Sequence, residues 1–390
     1  MFAGQSANDF YQEMLATIRL EGERAAPRGL PTTELLHAVT RIEDPRRRVL
    51  TQVGRKLNPF FNLAESLWIM TGQSEAEWIC FYNSQLRKYL DPPLRYFHGA
   101  YGERLRHWPW VSRLGYGGHA DQQDQLLNCY HILREAPESR QAVMILWSPL
   151  ADKPDRITMD RPCNDAVTFK LRHNTLWMTV FNRSNDVILG LTSTNIVQFS
   201  TLQEVLATWL GADVGPYTHY SDSLHLYDSQ DVPSAAPFDV YDYVCPTPMA
   251  VRPWDTSDLS LRELYAQAKM MQLAPASQLE AIEQNAIASN ADAAWSGCPY
   301  WNSVGWALLA YAFHKQKAGV GATRCVERMK TPDWKVECLR FLADRYGDAE
   351  DFVGNATRII TGLPATGGLE GRQALWQYVF QSHPAVPTFS

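Results

Sequence analysis

The chain has 390 residues, of which 45% are hydrophobic and 20% charged, a composition typical of a globular protein with one to three domains. Its 36 Lys and Arg against 42 Asp and Glu residues give a net charge of −6, which argues against binding of nucleic acid. No apolar run approaches the ~20 residues of a membrane span, and the N-terminus lacks the pattern of a secretory signal. The seven cysteines form no CxxC pair. We therefore expect a cytoplasmic protein without disulfides, bound metal or membrane contact.

Hydrophobic periodicity predicts helices and strands in the first 250 residues. Residues 57–72 have apolar side chains at three- and four-residue spacing, and Gly72 stands where a helix commonly ends. Residues 120–134 predict a second amphipathic helix, and the apolar run 141–149 predicts a buried strand.

A hairpin and a long helix follow. Apolar and polar residues alternate on both sides of His173-Asn174, which predicts two strands joined by a turn. Residues 195–210 carry an apolar helical face and end at Gly211.

The rest of the chain has a different character. Prolines are frequent between residues 230 and 258, which predicts a loop, and the sequence beyond is helical in pattern. Its tryptophans are expected in a core, although they could instead cover an active-site mouth. We predict an α+β catalytic domain over residues 1–250 and an all-helical extension over residues 251–390, whose role the sequence leaves open.

Three polar stretches stand out: Arg161–Asn164, Asn182–Asp186 and Ser223–Tyr227. Taken singly, each has an ordinary structural explanation, because a lone cysteine is usually a buried apolar residue and polar runs are usually turns. Together they suggest a nucleophile site. A thiol attacks as the thiolate, so a nearby cation is needed to favour its ionisation. The guanidinium groups of Arg183 and Arg140 could supply that charge and also bind a phosphate.

The segments PCN, NRSNDVILGL, TNIVQFSTLQE and SLHLY, in this order, resemble those of the thymidylate synthase family, which includes the pyrimidine-nucleotide hydroxymethylases. Upstream, LNPFFNLAESLWIMTG, AYGER, HADQ and PESRQ are also similar to family motifs, so the resemblance covers roughly residues 25–245. It implies a mixed sheet packed by helices. It also implies a folate-dependent transfer of a one-carbon unit to C5 of a pyrimidine nucleotide, with 5,10-methylenetetrahydrofolate as co-substrate.

The resemblance assigns three residues to the chemistry. Cys163 would add to C6 of the pyrimidine, so that C5 becomes nucleophilic. Glu65 would organise water and relay protons near O4. Tyr101 would lie beside the nucleophile and assist removal of the C5 proton.

The remaining matches are implied to bind substrate or co-substrate. They are Arg28, Arg140, Arg183 and Ser184 for the phosphate, Asn195 for the base, His225 and Tyr227 for the sugar hydroxyl, and Asp186 for the folate pterin. The carboxamide of Asn195 can accept from uracil N3–H and donate to O4. In the family the arginine corresponding to Arg140 reaches into the neighbouring subunit's site, so a homodimer is implied.

Several positions depart from the family pattern. Asn164 replaces the histidine that usually follows the nucleophile, and Gln141 replaces a second arginine. The loop before Asn195 is one residue longer, so Thr194 could take its place. The family's shielding tryptophans are absent, and Tyr89 or Tyr96 would have to substitute. The family's C-terminal closing segment is also absent.

The missing shield and closing segment favour entry of water to the reacting methylene, and hence a hydroxymethyl product. We therefore predict 5-hydroxymethylation of dUMP. True thymidylate synthesis, hydroxymethylation of CMP or dCMP, and a non-catalytic homologue stay open as alternatives. Ribose and deoxyribose are not distinguished by the sequence.

Overall fold

The computed structural model describes residues 1–51, 55, 57–108, 123–154, 158–230 and 260–346. The chain forms two compact units, which are Met1–Arg55 with Ala64–Tyr243 and Ala250–Tyr265, and Lys56–Leu63 with Val244–Met249 and Ala266–Ser390. Among the helices in the described ranges, none is both long and apolar enough to cross a bilayer.

The first unit contains a mixed sheet of eight strands within the described residues. The strands are β1 (Phe2–Gly4), β2 (Glu23–Ala25), β3 (Thr32–Ile42), β4 (Val143–Ile145), β5 (Asn164–Arg172), β6 (Thr175–Asn182), β7 (Asn185–Asp186) and β8 (Asp213–Tyr227). Their order is β1-β3-β8-β6-β5-β4, with β2 beside β3 and β7 beside β8. The pairs β3–β8, β5–β6 and β4–β5 are antiparallel, whereas β6 and β7 run parallel to β8. This sheet with its helices confirms the predicted α+β fold.

The predicted hairpin is present as β5 and β6. His173 and Asn174 both have positive φ, 49° and 57°, the backbone of a two-residue turn that matches the twist of paired strands. The ladder shifts register between Asn164 and Ala166, so one extra residue bulges from β5. Asn164, which follows the predicted nucleophile Cys163, therefore lies opposite Asn182.

The helices are α1 (Tyr11–Glu21), α2 (Pro59–Met70), α3 (Ala76–Tyr82), α4 (Tyr101–Arg106), α5 (Gln125–Glu135), α6 (Ile196–Leu210), α7 (Ser260–Leu273), α8 (Ala276–Asn290), α9 (Pro299–Lys315), α10 (Gly319–Glu327) and α11 (Pro332–Tyr346). The predictions for α2 and α6 are confirmed, and Gly72 and Gly211 after them have φ of 73° and 64°. Helix α5 begins later than predicted because the Asp124 side chain caps it.

The strand predicted over residues 141–149 is shorter than expected. Leu146 and Trp147 both donate their backbone N–H to the Asp165 carbonyl, at 2.8 and 3.2 Å, which ends the regular ladder after Ile145. Residues 231–258 of the predicted loop and the HADQ motif at 119–122 lie outside the described residues.

Helix α6 is the central helix of the first unit. It connects β7 to β8, packs on β6 and β8, and is buried on most of its sides. A π-helical segment, Val187–Asn195, precedes it. A π-helical turn is the usual result of one extra residue in a helix, which agrees with the extra residue noted in this loop.

The second unit is helical where the structure describes it. Trp301, Trp306 and Trp334 are buried, which confirms their predicted core position. A side chain at Gly305 would collide with the Trp295 ring, so this position allows α9 to approach that tryptophan closely. The boundaries of the catalytic domain and its extension stay a prediction.

Candidate active site

A cavity of about 970 Å³ opens in the first unit. Of the residues assigned to the site from the sequence, all except Arg140 line it: Arg28, Glu65, Tyr101, Cys163, Arg183, Ser184, Asp186, Asn195, His225 and Tyr227. Arg140 lies on the exposed surface after α5 and does not reach the cavity within its own chain.

The bulge in β5 determines what faces Cys163. With an unbroken two-residue hairpin, Cys163 would pair with Ser184. Because of the extra residue it lies beside Arg183, whose backbone N–H donates to the Cys163 carbonyl at 3.0 Å. The thiol is accessible from the cavity, although protein surrounds it on its other sides.

Burial raises the pKa of the Cys163 thiol, Arg183 and Arg28 lower it by less, and Asp160 and Asp165 raise it further. The net direction is upward. The predicted effect of Arg183 is confirmed, because its charge lowers the pKa of the thiol, although burial outweighs it; Arg140, the other predicted cation, does not line the cavity. The resting thiol is protonated, because desolvation penalises the anion more than the arginines favour it.

Tyr101 is held against the nucleophile by two hydrogen bonds. Its hydroxyl oxygen accepts from the Cys163 backbone N–H at 3.3 Å and from the Asn164 side chain at 2.8 Å. Asn164 in turn accepts from the Asn182 side chain at 2.9 Å. Burial and the neighbouring Cys163 raise the pKa of Tyr101, so the phenol is neutral and can donate a hydrogen bond to a ligand in the cavity. At the position where the family usually has histidine, Asn164 therefore fixes the Tyr101 hydroxyl.

Glu65 projects into the cavity from α2. Burial raises the pKa of its carboxyl group to about 7, although a hydrogen bond with Gln198 opposes the shift. Glu65 Oε2 and Gln198 Oε1 are both buried without a hydrogen-bond partner in the described protein. Such orphaned oxygens indicate a place for a water or a ligand group. At neutral pH the carboxyl group is present in both protonation states, which suits proton transfer in either direction.

Two arginines, Arg28 and Arg183, line the cavity. Arg183 packs over the Trp147 ring at 5.4 Å and donates its Nε–H to the Pro162 carbonyl at 3.0 Å. Arg28 has φ of 56° in the short turn Pro27–Gly29, an unusual backbone for a residue other than glycine. Strain of this kind concentrates at functional sites, and here it places a guanidinium group near Tyr227.

His225 and Tyr227 share one face of β8. Their rings lie 5.1 Å apart, which agrees with the strand-type spacing read from the sequence. Burial lowers the pKa of His225, so the imidazole is neutral, and burial raises the pKa of Tyr227. The adjacent Ser223 hydroxyl donates to the Glu34 carboxylate, and both side chains also line the cavity.

Asp186 is the partner of His225 in the β7–β8 ladder. Its Oδ1 accepts from the backbone N–H groups of Ile188 and Leu189 at 2.7 and 3.1 Å, and its Oδ2 accepts from the Gln230 side chain at 2.6 Å. The carboxylate therefore begins the π-helical segment and is also exposed to the cavity.

The longer loop leaves both Thr194 and Asn195 at the cavity wall. The Asn195 amide donates to the Asn185 side-chain carbonyl at 3.3 Å. Asn185 is fixed in turn by donating to His219 and Ser221, each at 3.1 Å. Asn195 is therefore an oriented carboxamide, whereas the Thr194 hydroxyl is turned back to donate to the Leu189 carbonyl at 3.1 Å.

The cavity-lining residues that the sequence analysis missed include Trp68, Trp147, Asp160 and Gln198. Trp68 could have been found, because it lies one helical turn from Glu65 on the same face of α2. The others carry no local signal. Of the two tyrosines named as substitutes for the missing tryptophans, Tyr89 lines the cavity and Tyr96 does not.

The chain is similar to known proteins. The sequence profile described as Thymidylate synthase matches residues 9–269. The chain is 39% identical over 226 residues to the Deoxyuridylate hydroxymethyltransferase of Bacillus phage SP01, which covers 58% of each protein. It is 35% identical over 218 residues to the protein of the same name from Pseudomonas phage M6, covering 55% of this chain and 58% of the relative. A Putative thymidylate synthase of Methanothermobacter marburgensis is 31% identical over 206 residues, 52% of this chain and 80% of the relative. The chain thus spans less than two thirds of the two phage relatives.

Proposed function

Because the chain belongs to the thymidylate synthase family, we propose that it transfers a one-carbon unit from 5,10-methylenetetrahydrofolate to C5 of dUMP and releases 5-hydroxymethyl-dUMP. The observation that carries this proposal is the Cys163 thiol, which opens into a cavity next to Arg183 and near the pair His225 and Tyr227. The names of the two phage relatives support the hydroxymethyl product.

The nucleotide is expected to lie with its phosphate at Arg28 and Arg183, since two guanidinium groups there offer forked donors to phosphate oxygens. The sugar hydroxyl then meets His225 and Tyr227 on β8. The oriented carboxamide of Asn195 suits uracil, because one edge accepts from N3–H and the other donates to O4.

The chemistry begins at Cys163. The thiol gives its proton to water in the cavity, the sulfur forms a bond with C6 of the pyrimidine, and the π electrons of the C5–C6 bond move to C5 and O4. Glu65, with a pKa of about 7, donates a proton towards O4 and later takes it back. Tyr101, held by Asn164, donates a hydrogen bond beside C5 and so orients the water that removes the C5 proton.

The cavity also fits the folate co-substrate. When bound, 5,10-methylenetetrahydrofolate supplies a one-carbon unit at the oxidation level of formaldehyde. The cavity volume of about 970 Å³ lies at the upper end of the usual range for small-molecule pockets, which leaves room for two ligands. Asp186 offers a carboxylate to N–H donors, and Leu189, 61% exposed, offers an apolar surface beside it.

A second candidate is thymidylate synthesis, which the name of the Methanothermobacter relative favours. The two reactions differ in redox balance. Hydroxymethylation leaves the folate reduced, whereas reductive methylation converts it to dihydrofolate.

Product analysis tests the proposal. The protein is incubated with 5,10-methylenetetrahydrofolate and one nucleotide at a time, dUMP, UMP, dCMP or CMP. The mass of each product is measured by mass spectrometry, and the absorbance of dihydrofolate is recorded during the reaction. We expect hydroxymethyl-dUMP without dihydrofolate. A methyl product with stoichiometric dihydrofolate supports the synthase, and a cytosine product overturns the assignment of the base. No covalent adduct on Cys163 with 5-fluoro-dUMP supports the non-catalytic homologue. The matched variant Cys163→Ser should form no adduct.

The homodimer with Arg140 acting in trans is part of the proposal. Exposed apolar side chains lie on β4 and β6, the strands on either side of β5, at Val143, Ile145, Trp177 and Phe181, and such a patch suits a second copy. Subunit complementation tests it. Arg140→Ala and Cys163→Ser protein, each inactive alone, should regain roughly a quarter of wild-type activity when unfolded and refolded together, because half the dimers are mixed and hold one intact site. No regain contradicts action across an interface.

A further inference from the structure

A second carboxylate faces the nucleophile from the segment just before it. Asp160 lines the cavity three residues ahead of Cys163, and its charge is close enough to raise the pKa of the thiol. Its Oδ2 accepts from the Gly99 backbone N–H at 2.8 Å. Gly99 leaves space for this approach, since a Cβ there would lie 2.9 Å from Asp160 Oδ1.

The surroundings of Asp160 make it a proton acceptor rather than half of an ion pair. Within the described ranges no arginine or lysine pairs with it, and Arg104, whose charge lowers the pKa of Asp160, is held by both oxygens of Asp152. Burial raises the pKa of Asp160 to about 6. The group is therefore largely ionised at neutral pH yet basic enough to accept a proton.

Hydration of the methylene group at C5 needs a base, and neither Glu65 nor Tyr101 supplies one. In the proposed mechanism Glu65 transfers a proton at O4, and Tyr101 is a neutral hydrogen-bond donor. We infer that Asp160 is the general base that activates the water which hydrates the methylene group at C5. This inference rests on the proposed function and names a catalytic residue within it.

The step balances without a redox partner. Water oxygen bonds to the exocyclic CH2 carbon of the Cys163-bound nucleotide, the π pair of the C5=CH2 bond moves through C4 to O4, and the water proton passes to the Asp160 carboxylate. The C5=C6 double bond then re-forms as the C6–Sγ bond breaks and the thiolate leaves. Asp160 afterwards returns its proton to solvent.

Asp160→Asn tests the inference, because an amide oxygen still accepts from Gly99 N–H but cannot take the proton. We expect the variant to keep the 5-fluoro-dUMP adduct and to release one C5 tritium per site in a single burst. Formation of hydroxymethyl-dUMP should then fall by about 100-fold or more. Added 2-mercaptoethanol should restore turnover as a thioether product, since a thiolate attacks the methylene without a general base.

Asp91→Asn is the matched control. Asp91 accepts from the Met159 backbone N–H at 3.2 Å and does not line the cavity, so this variant removes a carboxylate that contacts the segment of Asp160 from outside the cavity. It should make hydroxymethyl-dUMP at the wild-type rate. Asp160→Ser provides a second removal of the carboxylate if the Asn variant fails to fold.

Two results overturn the inference: hydroxymethyl formation at the wild-type rate in a folded Asp160 variant, or loss of the tritium burst and adduct, which places the role of Asp160 before the water step. Failure of the proposed function looks different, because the wild-type protein itself then yields a methyl product with dihydrofolate, or no adduct.

Discussion

Replacing Glu65 by glutamine should stabilise the protein at alkaline pH while removing its activity. Burial raises the pKa of this carboxyl group from 4.5 to about 7. Each pKa unit is worth about 1.4 kcal/mol, so ionising Glu65 in the folded protein costs about 3 kcal/mol more than in the unfolded chain. The folded state binds the extra proton, so stability is lost as pH rises from about 4.5 to 7 and is missing above that range.

Glutamine has nearly the same shape as glutamate but cannot ionise, so the Glu65→Gln variant avoids the free-energy cost of a buried charge. The free energy of unfolding of Glu65→Gln, minus that of the wild type, should rise by about 3 kcal/mol between pH 4.5 and 8.5. Urea unfolding at fixed protein concentration and several pH values measures this difference. The exposed Glu138→Gln is the matched control and should show no such rise. A difference for Glu65→Gln that is equal at all pH values refutes the reasoning.

Other predictions concern the charged network, the second unit and the phosphate end. Although burial raises the pKa of Asp152, hydrogen bonds from His98 and Arg104 hold it below its usual value, so Asp152→Asn should cost about 3–5 kcal/mol at pH 7 and less as pH falls below 4. An unchanged urea midpoint would show that the network contributes no stability. Gly305→Ala should destabilise the second unit by about 1–3 kcal/mol by collision with Trp295, with catalysis by the folded protein unaltered. Wild-type thermal unfolding would contradict that packing. Arg183→Ala should raise KM for the nucleotide by about 10- to 100-fold through loss of a phosphate contact, and an unchanged KM would remove Arg183 from the phosphate site.

Patterns of residues that are close along the chain were sufficient to predict the helix and strands that carry the site. Helix α2 and the β5–β6 hairpin follow from apolar spacing and from turn residues that lie within a few positions of each other. The order of the motifs was sufficient to predict ten residues that line one cavity, because the family resemblance already contains their long-range arrangement.

Other features depend on groups that are distant along the chain. The raised pKa of the Cys163 thiol results from burial by many neighbours, which no motif reveals. The bulge at residue 165 decides that Cys163 faces Arg183, since a shift of one residue changes every partner beyond it.

The sequence by itself thus determined the α+β fold, the order of the motifs and the candidate nucleophile, since these are expressed in residue type and spacing. Only the tertiary structure placed Asp160 and Gln198 in the cavity and Arg140 away from it. The reason is physical: electrostatic and desolvation energies depend on distances across the fold, whereas helix and strand patterns depend on neighbours along the chain.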